Sequence, residues 1–251
     1  MALADSAGTP WEGRHFEANA SADDDGSADP RLLEALRRFR SRELGEAEVV
    51  AAARDARFLV PLLAHLGEAG ENEHGVMIDK TQELAIVTVT APDGRTVLPV
   101  FTSVETMSHW NPRARPVPVD AVRIALAAAS EQTDLVVIDA TSDTEFVVRR
   151  PALWALAQSA AWVPCYADPE VLAEFEGAAR GEASVRSVSL VDGDPDARLA
   201  GPELVVRLAL APGLSRAELD GVLARLQATW SASGVIAERV DSLRVQLAAS
   251  E

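Results

Sequence analysis

The sequence predicts an α+β protein of two domains, with a mixed sheet and flanking helices first and a small α+β sandwich after it. Amphipathic segments of helical spacing alternate with short apolar runs of strand length. The last third has the order strand, strand, helix, strand with a helix ahead of it, which is typical of a small sandwich. A length of 251 residues leaves room for two small domains or one large one.

An irregular N-terminal arm is expected over residues 1–29, which are poor in branched apolar side chains. Asp29-Pro30 then begins the N-terminal domain, which we place at 30–163. Asp suits the N-cap of a helix and Pro suits its first turn. Apolar residues at helical spacing predict helices at 30–42, 46–54, 119–129 and from 151 onward.

The first strand of this domain is the apolar run 58–63, although Pro61 argues against a fully paired central position. Residues 84–90 and 96–101 predict a hairpin, because Pro92-Asp93-Gly94 between them is a strong turn signal. Further strands are expected at 135–138 and 146–148.

A shift in composition near 160–168 marks the domain boundary, and the C-terminal domain is expected over 167–251. Its second helix has a capping box, in which Ser215 and Glu218 satisfy each other's backbone amides. The predicted helices are 169–180 and 215–231, and the predicted strands are 184–191, 203–211 and 243–247.

The charge balance excludes several classes of function. Thirty-nine acidic residues against 23 Lys and Arg give a net charge of −16, which repels nucleic acids and anionic membranes. The start MALADSAGTPWEG lacks the features of a secretory signal, and no run reaches the roughly 18 apolar residues of a membrane helix. The single cysteine, Cys165, permits no intrachain disulfide. We therefore expect a cytoplasmic protein.

Residues 97–110, VLPVFTSVETMSHW, form the corner at which a strand gives way to a short helix. Thr102 and Glu105 match a capping box, and this structural role is the favoured interpretation. One alternative is that the amides and hydroxyls at the helix start 102–105 bind a small anion. The other is a nucleophilic Ser103 with His109 as its base. Three prolines in 111–118 predict a loop after the helix.

Other candidate sites are weaker. The four histidines share no zinc spacing, and the common phosphate, dinucleotide and hydrolase motifs are missing from the sequence. The acidic stretch 23–29 resembles a calcium loop, but Leu32 stands where the twelfth-position Glu is required, so a solvated linker is favoured. We predict no catalytic residues, no metal and no cofactor.

Two basic segments are candidates for partner contact. Arg37, Arg38, Arg40 and Arg42 form a dense run that is either a solvated helix face or a surface for an acidic partner or for the acidic arm. Trp110 is followed by Arg113 and Arg115, a composition typical of interface hot spots. Placement of Trp110 in the core is the other interpretation and is slightly favoured.

Several motifs together resemble the SseB family, in its two-domain actinobacterial type. They are Pro10-Trp11-Glu12-Gly13, the acidic arm and above all Leu98-Pro99-Val100-Phe101-Thr102-Ser103 followed by Trp110. One departure is Asp139-Ala140, where Asn-Pro is expected of such proteins. The family's name records a link to serine sensitivity in bacteria, and it supplies no catalytic residues to transfer. The resemblance implies a cytoplasmic bacterial protein that binds or regulates.

The function expected is therefore that of a non-catalytic binding or regulatory protein with an unidentified protein partner. The residues expected to contact a ligand or partner are Phe101, Thr102, Ser103, Trp110, Arg113 and Arg115. One alternative is an enzyme with a pocket near Thr102 and Ser103. The other is an assembly protein that forms homo-oligomers through its C-terminal domain.

Overall fold

The structure is a computed structural model that describes residues 24–64, 70–71, 77–78, 84–131, 133 and 135–249. Most of the expected arm, residues 1–23, lies outside the described residues. The helices are α1 (Pro30–Arg40), α2 (Glu46–Arg54), α3 (Val104–Trp110), α4 (Ala121–Ser130), α5 (Arg150–Ala157), α6 (Pro169–Ala179), α7 (Arg216–Ser231) and α8 (Gly234–Arg239).

Twelve strands appear in the described residues. They are β1 (Arg57–Ala64), β2 (Gly70–Glu71), β3 (Met77–Ile78), β4 (Leu84–Ile86), β5 (Val89–Thr90), β6 (Thr96–Val100), β7 (Arg115–Asp120), β8 (Val136–Ile138), β9 (Phe146–Val148), β10 (Val185–Asp192), β11 (Leu204–Leu210) and β12 (Leu243–Ala249). Their sheets combine parallel and antiparallel pairs, and helices pack against them. The predicted α+β class is confirmed.

The N-terminal half holds two sheets of orders β4-β1-β7 and β5-β6-β8-β9. They are joined where Leu59 and Phe101 exchange both backbone hydrogen bonds, at 2.8 and 2.9 Å. One face of the four-stranded sheet packs on α1, α2, α4 and α5 in the main core. Alternation along the strands then turns the side chains of Val97, Val137 and Val147 to the opposite face.

The prediction of a loop over 111–118 is wrong, because β7 begins at Arg115 and pairs antiparallel with β1. Pro118 lies opposite Leu59, and Pro116 lies opposite Pro61. Leu59 forms its backbone hydrogen bonds on the side away from β7. The nitrogens of both prolines of β7 therefore face the outer edge of the sheet. An edge strand tolerates proline there because the missing N–H has no neighbouring strand to reach.

The hairpin predicted over 84–101 is much shorter than expected. Only Val89–Thr90 pairs with the start of β6, at Val97 and Thr96. The preceding residues, Leu84–Ile86, form β4 and pair with β1 instead. The segment 84–90, expected to be one strand, is thus divided between two sheets. Its local sequence pattern does not indicate this division.

The C-terminal half packs α6, α7 and α8 on the sheet β10-β11-β12, in which β11 and β12 run parallel. The five predicted elements appear there close to their expected positions, and the short helix α8 is additional. Phe175 of α6 meets Trp230 of α7 edge-on, with ring centroids 5.1 Å apart, inside this second core.

Residues 193–202, which we call the strap, connect β10 to β11 and cross onto the N-terminal half. The carbonyl of Ala197 accepts the amide of Val147 at 2.8 Å. Ala197 is buried in the main core, and Leu199 packs on the opposite face of the four-stranded sheet. The strap therefore supplies core side chains to the other half of the molecule.

Arg149 fixes the base of the strap. Its guanidinium, 5% exposed, donates to Asp194 at 2.6 Å and to Asp241 at 3.0 Å. A further donor reaches the carbonyl of Gly201 at 3.0 Å. The two halves therefore meet around a buried ion-pair network. Among the helices of the described residues, none is both long and apolar enough to cross a membrane.

Candidate functional site

The parallel strands β6 and β8 end side by side, and the residues that follow them are joined. The carboxylate of Asp139 accepts the backbone amide of Thr102 at 2.8 Å and its hydroxyl at 2.8 Å. It also accepts the hydroxyl of Thr144 at 2.9 Å. Asp139 thus connects the ends of the two strands.

Asp139 is fully buried, and burial raises the pKa of its carboxyl group above the ordinary value, against the opposing effect of its hydrogen bonds. The hydroxyl of Thr102 is equally enclosed and is committed to Asp139. A hydroxyl held in this way positions the corner and is not presented to a ligand.

Ser103, and not Thr102, is the N-cap of α3, one residue later than the sequence predicts. Its hydroxyl accepts the amide of Thr106 at 3.1 Å and shares a 2.6 Å hydrogen bond with the hydroxyl of Thr106. The hydroxyl of Thr102 is instead directed toward Asp139, to which it donates. His109 is exposed, and the described contacts include no hydrogen bond between it and Ser103.

Three amides at this helix start are bonded within the protein. Thr102 donates to Asp139, Val104 donates to the carbonyl of Gly26 at 2.9 Å, and Thr106 donates to Ser103. An anion that used the amides of Thr102 and Val104 would have to displace their present acceptors.

The end of the acidic arm occupies the same corner. Arg57 forms a two-pronged ion pair with Asp24, at 2.7 and 2.8 Å, and donates to the carbonyl of Thr102 at 3.0 Å. Gly26 has φ +76°, and a Cβ placed on it would lie 2.6 Å from a methyl group of Val104. The described part of the arm therefore binds beside α3 and not to the basic run of α1.

That basic run has another use. Arg40 donates to the carbonyl of Asp196 at 2.6 Å, and Arg42 binds the carboxylate of Asp196 at 2.5 Å. Both arginines therefore hold the strap. Arg113 and Arg115 are exposed, and neither side chain has an ion pair or hydrogen bond among the described contacts.

The two aromatic residues of the corner differ in exposure. Phe101 is fully buried with Leu59 and Met107, and Trp110 lies half-buried against it, with ring centroids 5.2 Å apart. The other side of Trp110 borders a cavity. Trp110 is thus both a packing residue and part of a concave surface.

This cavity, of about 320 Å³, lies on the face of the four-stranded sheet that the helical core does not cover. Its walls come from the β5–β6 hairpin, α3, the β8–β9 segment and the strap. The lining residues are Val89, Thr90, Ala91, Pro92, Val97, Trp110, Val137, Ala140, Thr141, Glu145, Val147, Arg198 and Leu199.

Left-handed backbone conformations cluster around the cavity. Of the six non-glycine residues with positive φ in the described part of the chain, Thr141 and Leu199 line it, and Asp139 and Ala197 lie two residues from them. Such conformations are unfavourable for residues with a Cβ and are often found at ligand sites. The shape of this region is therefore maintained against local backbone preference.

Two charged residues stand on the cavity wall. Glu145 accepts the amide of Thr141 at 2.6 Å, and its other oxygen lies 3.6 Å from Nε of Arg198, beyond hydrogen-bond reach. Arg198 donates to the carbonyl of Ser142 at 3.2 Å. The cavity is thus apolar with a polar rim.

A second group of titratable side chains is buried between the two cores. Burial, with nearby carboxylates, raises the pKa of Glu46 to about 8, and burial raises that of Glu203 to about 7. Burial also raises the pKa of the Cys165 thiol, so it stays protonated and is a poor nucleophile. Among the described residues, no three His, Cys, Asp or Glu side chains are grouped to hold a metal.

Sequence reasoning did not identify Asp139, Arg198 or the strap as parts of this site. An acidic residue directly after a buried strand was the available signal for Asp139. Arg198 lies 50 residues after the end of β9, the last strand of the sheet, and had no local signal.

The comparisons with known proteins bear on the N-terminal half. No curated protein and no solved structure is significantly similar to the chain. A family model described as the SseB protein N-terminal domain matches residues 32–155. This range includes β1 to β9 and every wall of the cavity except the strap. Residues 32–155 of the chain therefore form an N-terminal domain of the SseB family.

Proposed function

We propose that this protein is a non-catalytic binding protein that receives a small molecule with an apolar body in the cavity beside Trp110. The observation that carries the proposal is the cavity itself, which lies on the sheet face opposite the helical core and is walled by four segments. Ligand sites in proteins are typically such concave, mostly apolar spaces of about 300–1,000 Å³.

The size of the cavity limits the ligand. A buried apolar cavity of roughly 150 Å³ accommodates benzene. The cavity of about 320 Å³ is close to twice that size. Its occupant is accordingly a molecule whose apolar part is comparable to two fused aromatic rings, and not a flat protein surface.

The contacts at the corner argue against catalysis there. A serine nucleophile needs a base that is oriented toward it. The hydroxyl of Ser103 is engaged with Thr106, and the hydroxyl of Thr102 donates to Asp139. A binding or regulatory role in the cytoplasm is the matching proposal, and a single cysteine, which permits no intrachain disulfide, agrees with a reducing compartment.

The test fills the cavity and measures binding of a neutral fluorescent probe with two fused rings, 1-naphthylamine. Ala140→Leu adds three heavy atoms to the wall, so we expect the affinity to fall at least tenfold. Ala161→Leu, the same change at an exposed position, is the matched control and leaves the affinity unchanged. Circular dichroism verifies that each variant is folded.

A second pair of variants covers the case in which Ala140→Leu disturbs the fold. Trp110→Leu removes a wall of the cavity and weakens probe binding, whereas Trp154→Leu, at a 45% exposed tryptophan on α5, does not. A wild-type protein that does not bind the probe, or variants that all bind it equally, would rule out the cavity as the binding site.

A protein partner at the corner is the second proposal. It is supported by the exposed guanidinium groups of Arg113 and Arg115 close to Trp110 in the chain. The double variant Arg113→Ala, Arg115→Ala is expected to keep the probe affinity of the wild type and to lose partners that wild-type protein recovers from lysate. Equal recovery by both proteins would remove the two arginines from the contact surface.

A further inference from the structure

We infer that the ligand of this cavity is an amphipathic carboxylate whose head group binds Arg198 of the strap while its apolar body lies against the sheet. The inference rests on the proposed function and adds to it the chemical class of the ligand and the residue that selects it. The juxtaposition on which it stands is a partly exposed guanidinium at the rim of an apolar cavity.

The first step is the charge of the cavity wall. Arg198 and Glu145 are its two charged residues, and they form an ion pair at 3.6 Å with no hydrogen bond between them. Glu145 has a closer partner in the backbone amide of Thr141, which donates a hydrogen bond to it at 2.6 Å. The carboxylate of Glu145 is therefore satisfied in part by backbone, which leaves Arg198 available.

The second step is the donor capacity of Arg198. A guanidinium group has five N–H donors. Among the described contacts, the carbonyl of Ser142 is the one hydrogen-bond acceptor of this side chain, and the side chain is 41% exposed. Several donors thus remain for a ligand, in the planar arrangement that suits the two oxygens of a carboxylate.

The third step is the surroundings of Arg198. The pKa of Arg40 is lowered, first by burial of its guanidinium group and then by the positive charge of the nearby Arg198. Nε and Nη2 of Arg40 are buried and have no hydrogen-bond partner among the described residues. Asp196 is already engaged by Arg42 and by Arg40. Among the groups that act on Arg40, three guanidinium groups, of Arg40, Arg42 and Arg198, thus face two carboxylates, of Asp196 and Glu145, and an anionic head group on Arg198 would balance the difference.

A single carboxylate fits better than a phosphate. One guanidinium at the rim can bind both oxygens of a carboxylate, whereas a phosphate dianion offers three acceptors and a second charge. The net charge of −16 repels anions in general, so any preference for the charged ligand has to come from this local site.

The experiment compares two ligands of the same shape, 2-naphthoate and the neutral 2-naphthamide, by titration calorimetry at about 0.15 M salt. The wild type is expected to bind naphthoate more tightly than naphthamide. Arg198→Gln is expected to weaken naphthoate roughly tenfold, as for loss of a charged hydrogen bond at a partly exposed site, and to leave naphthamide unchanged. Arg198→Lys retains the charge and recovers part of the loss.

The matched control is Arg186→Gln, at an exposed arginine of β10 outside the cavity, and it changes neither affinity. If both compounds bind equally well to the wild type and to Arg198→Gln, the inference on the head group is overturned and the cavity remains a binding site. If Arg198→Gln weakens both compounds equally, Arg198 supports the strap and does not select the ligand. If neither compound binds the wild type, the proposed function itself fails.

Discussion

Replacement of Arg149 should show how strongly the two halves of the molecule depend on each other. In the variant Arg149→Met the side chain keeps much of its length but loses its charge and its hydrogen bonds. Asp194 and Asp241, each 3% exposed, lose the cation that lies 2.6 and 3.0 Å away. Removal of one partner from a buried ion pair costs about 3–5 kcal/mol, because the remaining charge stays buried without compensation.

The contacts of the two aspartates place the expected loss at the lower end of this range. Asp241 keeps its ion pair with Arg95 at 2.8 Å. Asp194 keeps the amides of Leu199 and Ala200, at 2.7 and 3.1 Å, but has no other cation among the described ion pairs. We therefore expect the free energy of unfolding to fall by about 3 kcal/mol, which for a chain of this size lowers Tm by roughly 6–12 °C.

Thermal unfolding followed by circular dichroism at pH 7 measures the change. Arg225→Met removes an equally short ion pair, 2.6 Å to Glu182, from a side chain that is 61% exposed. Solvent screens that pair, so its Tm should stay close to that of the wild type. The double variant Arg149→Met, Asp194→Asn should regain part of the loss. A shift for Arg149→Met no larger than that for Arg225→Met would refute this reasoning.

Three further predictions concern stability. Asp139→Ala leaves the buried donors of Thr102 without an acceptor and should cost about 2–4 kcal/mol in urea unfolding, whereas Asp139→Asn should cost less than half as much because it keeps an acceptor; equal losses would contradict this. Burial and neighbouring carboxylates raise the pKa of Glu46 to about 8, so between pH 4.5 and 8 the folded protein holds a proton that the unfolded chain releases. Stability should therefore fall as pH rises through that window, and Glu46→Gln should flatten the slope of Tm against pH; parallel slopes would exclude this role. Gly26→Ala should clash with Val104 and release the arm, which faster cleavage there in limited proteolysis would reveal and an unchanged rate would disprove.

Local patterns predicted most of the helices because their signals lie within a few residues. Asp29-Pro30 begins α1, and Ser215 with Glu218 begins α7 as a capping box. The strand β7 escaped prediction because its prolines are acceptable only at a sheet edge, and edge position is a property of the assembled sheet.

The candidate site was predictable in part. The corner at Phe101 and Trp110 and the helix that follows Ser103 are encoded by adjacent residues. Other contacts of the site join residues 37 or more positions apart in the chain. They include the hydrogen bonds that Thr102 donates to Asp139 and the packing of Leu199 on the sheet. Such contacts depend on the packing of whole elements, so the cavity could not be inferred from the sequence.

The strap also has a consequence for the order in which the chain folds during synthesis. Domains usually fold as units, the N-terminal one first, as they leave the ribosome. Here Ala197 completes the main core of the N-terminal half and pairs with Val147, yet it is made some 40 residues after α5 ends. One face of the sheet in the nascent N-terminal half therefore stays exposed until the first hairpin of the C-terminal half has emerged. During that interval the exposed apolar face can bind chaperones or aggregate.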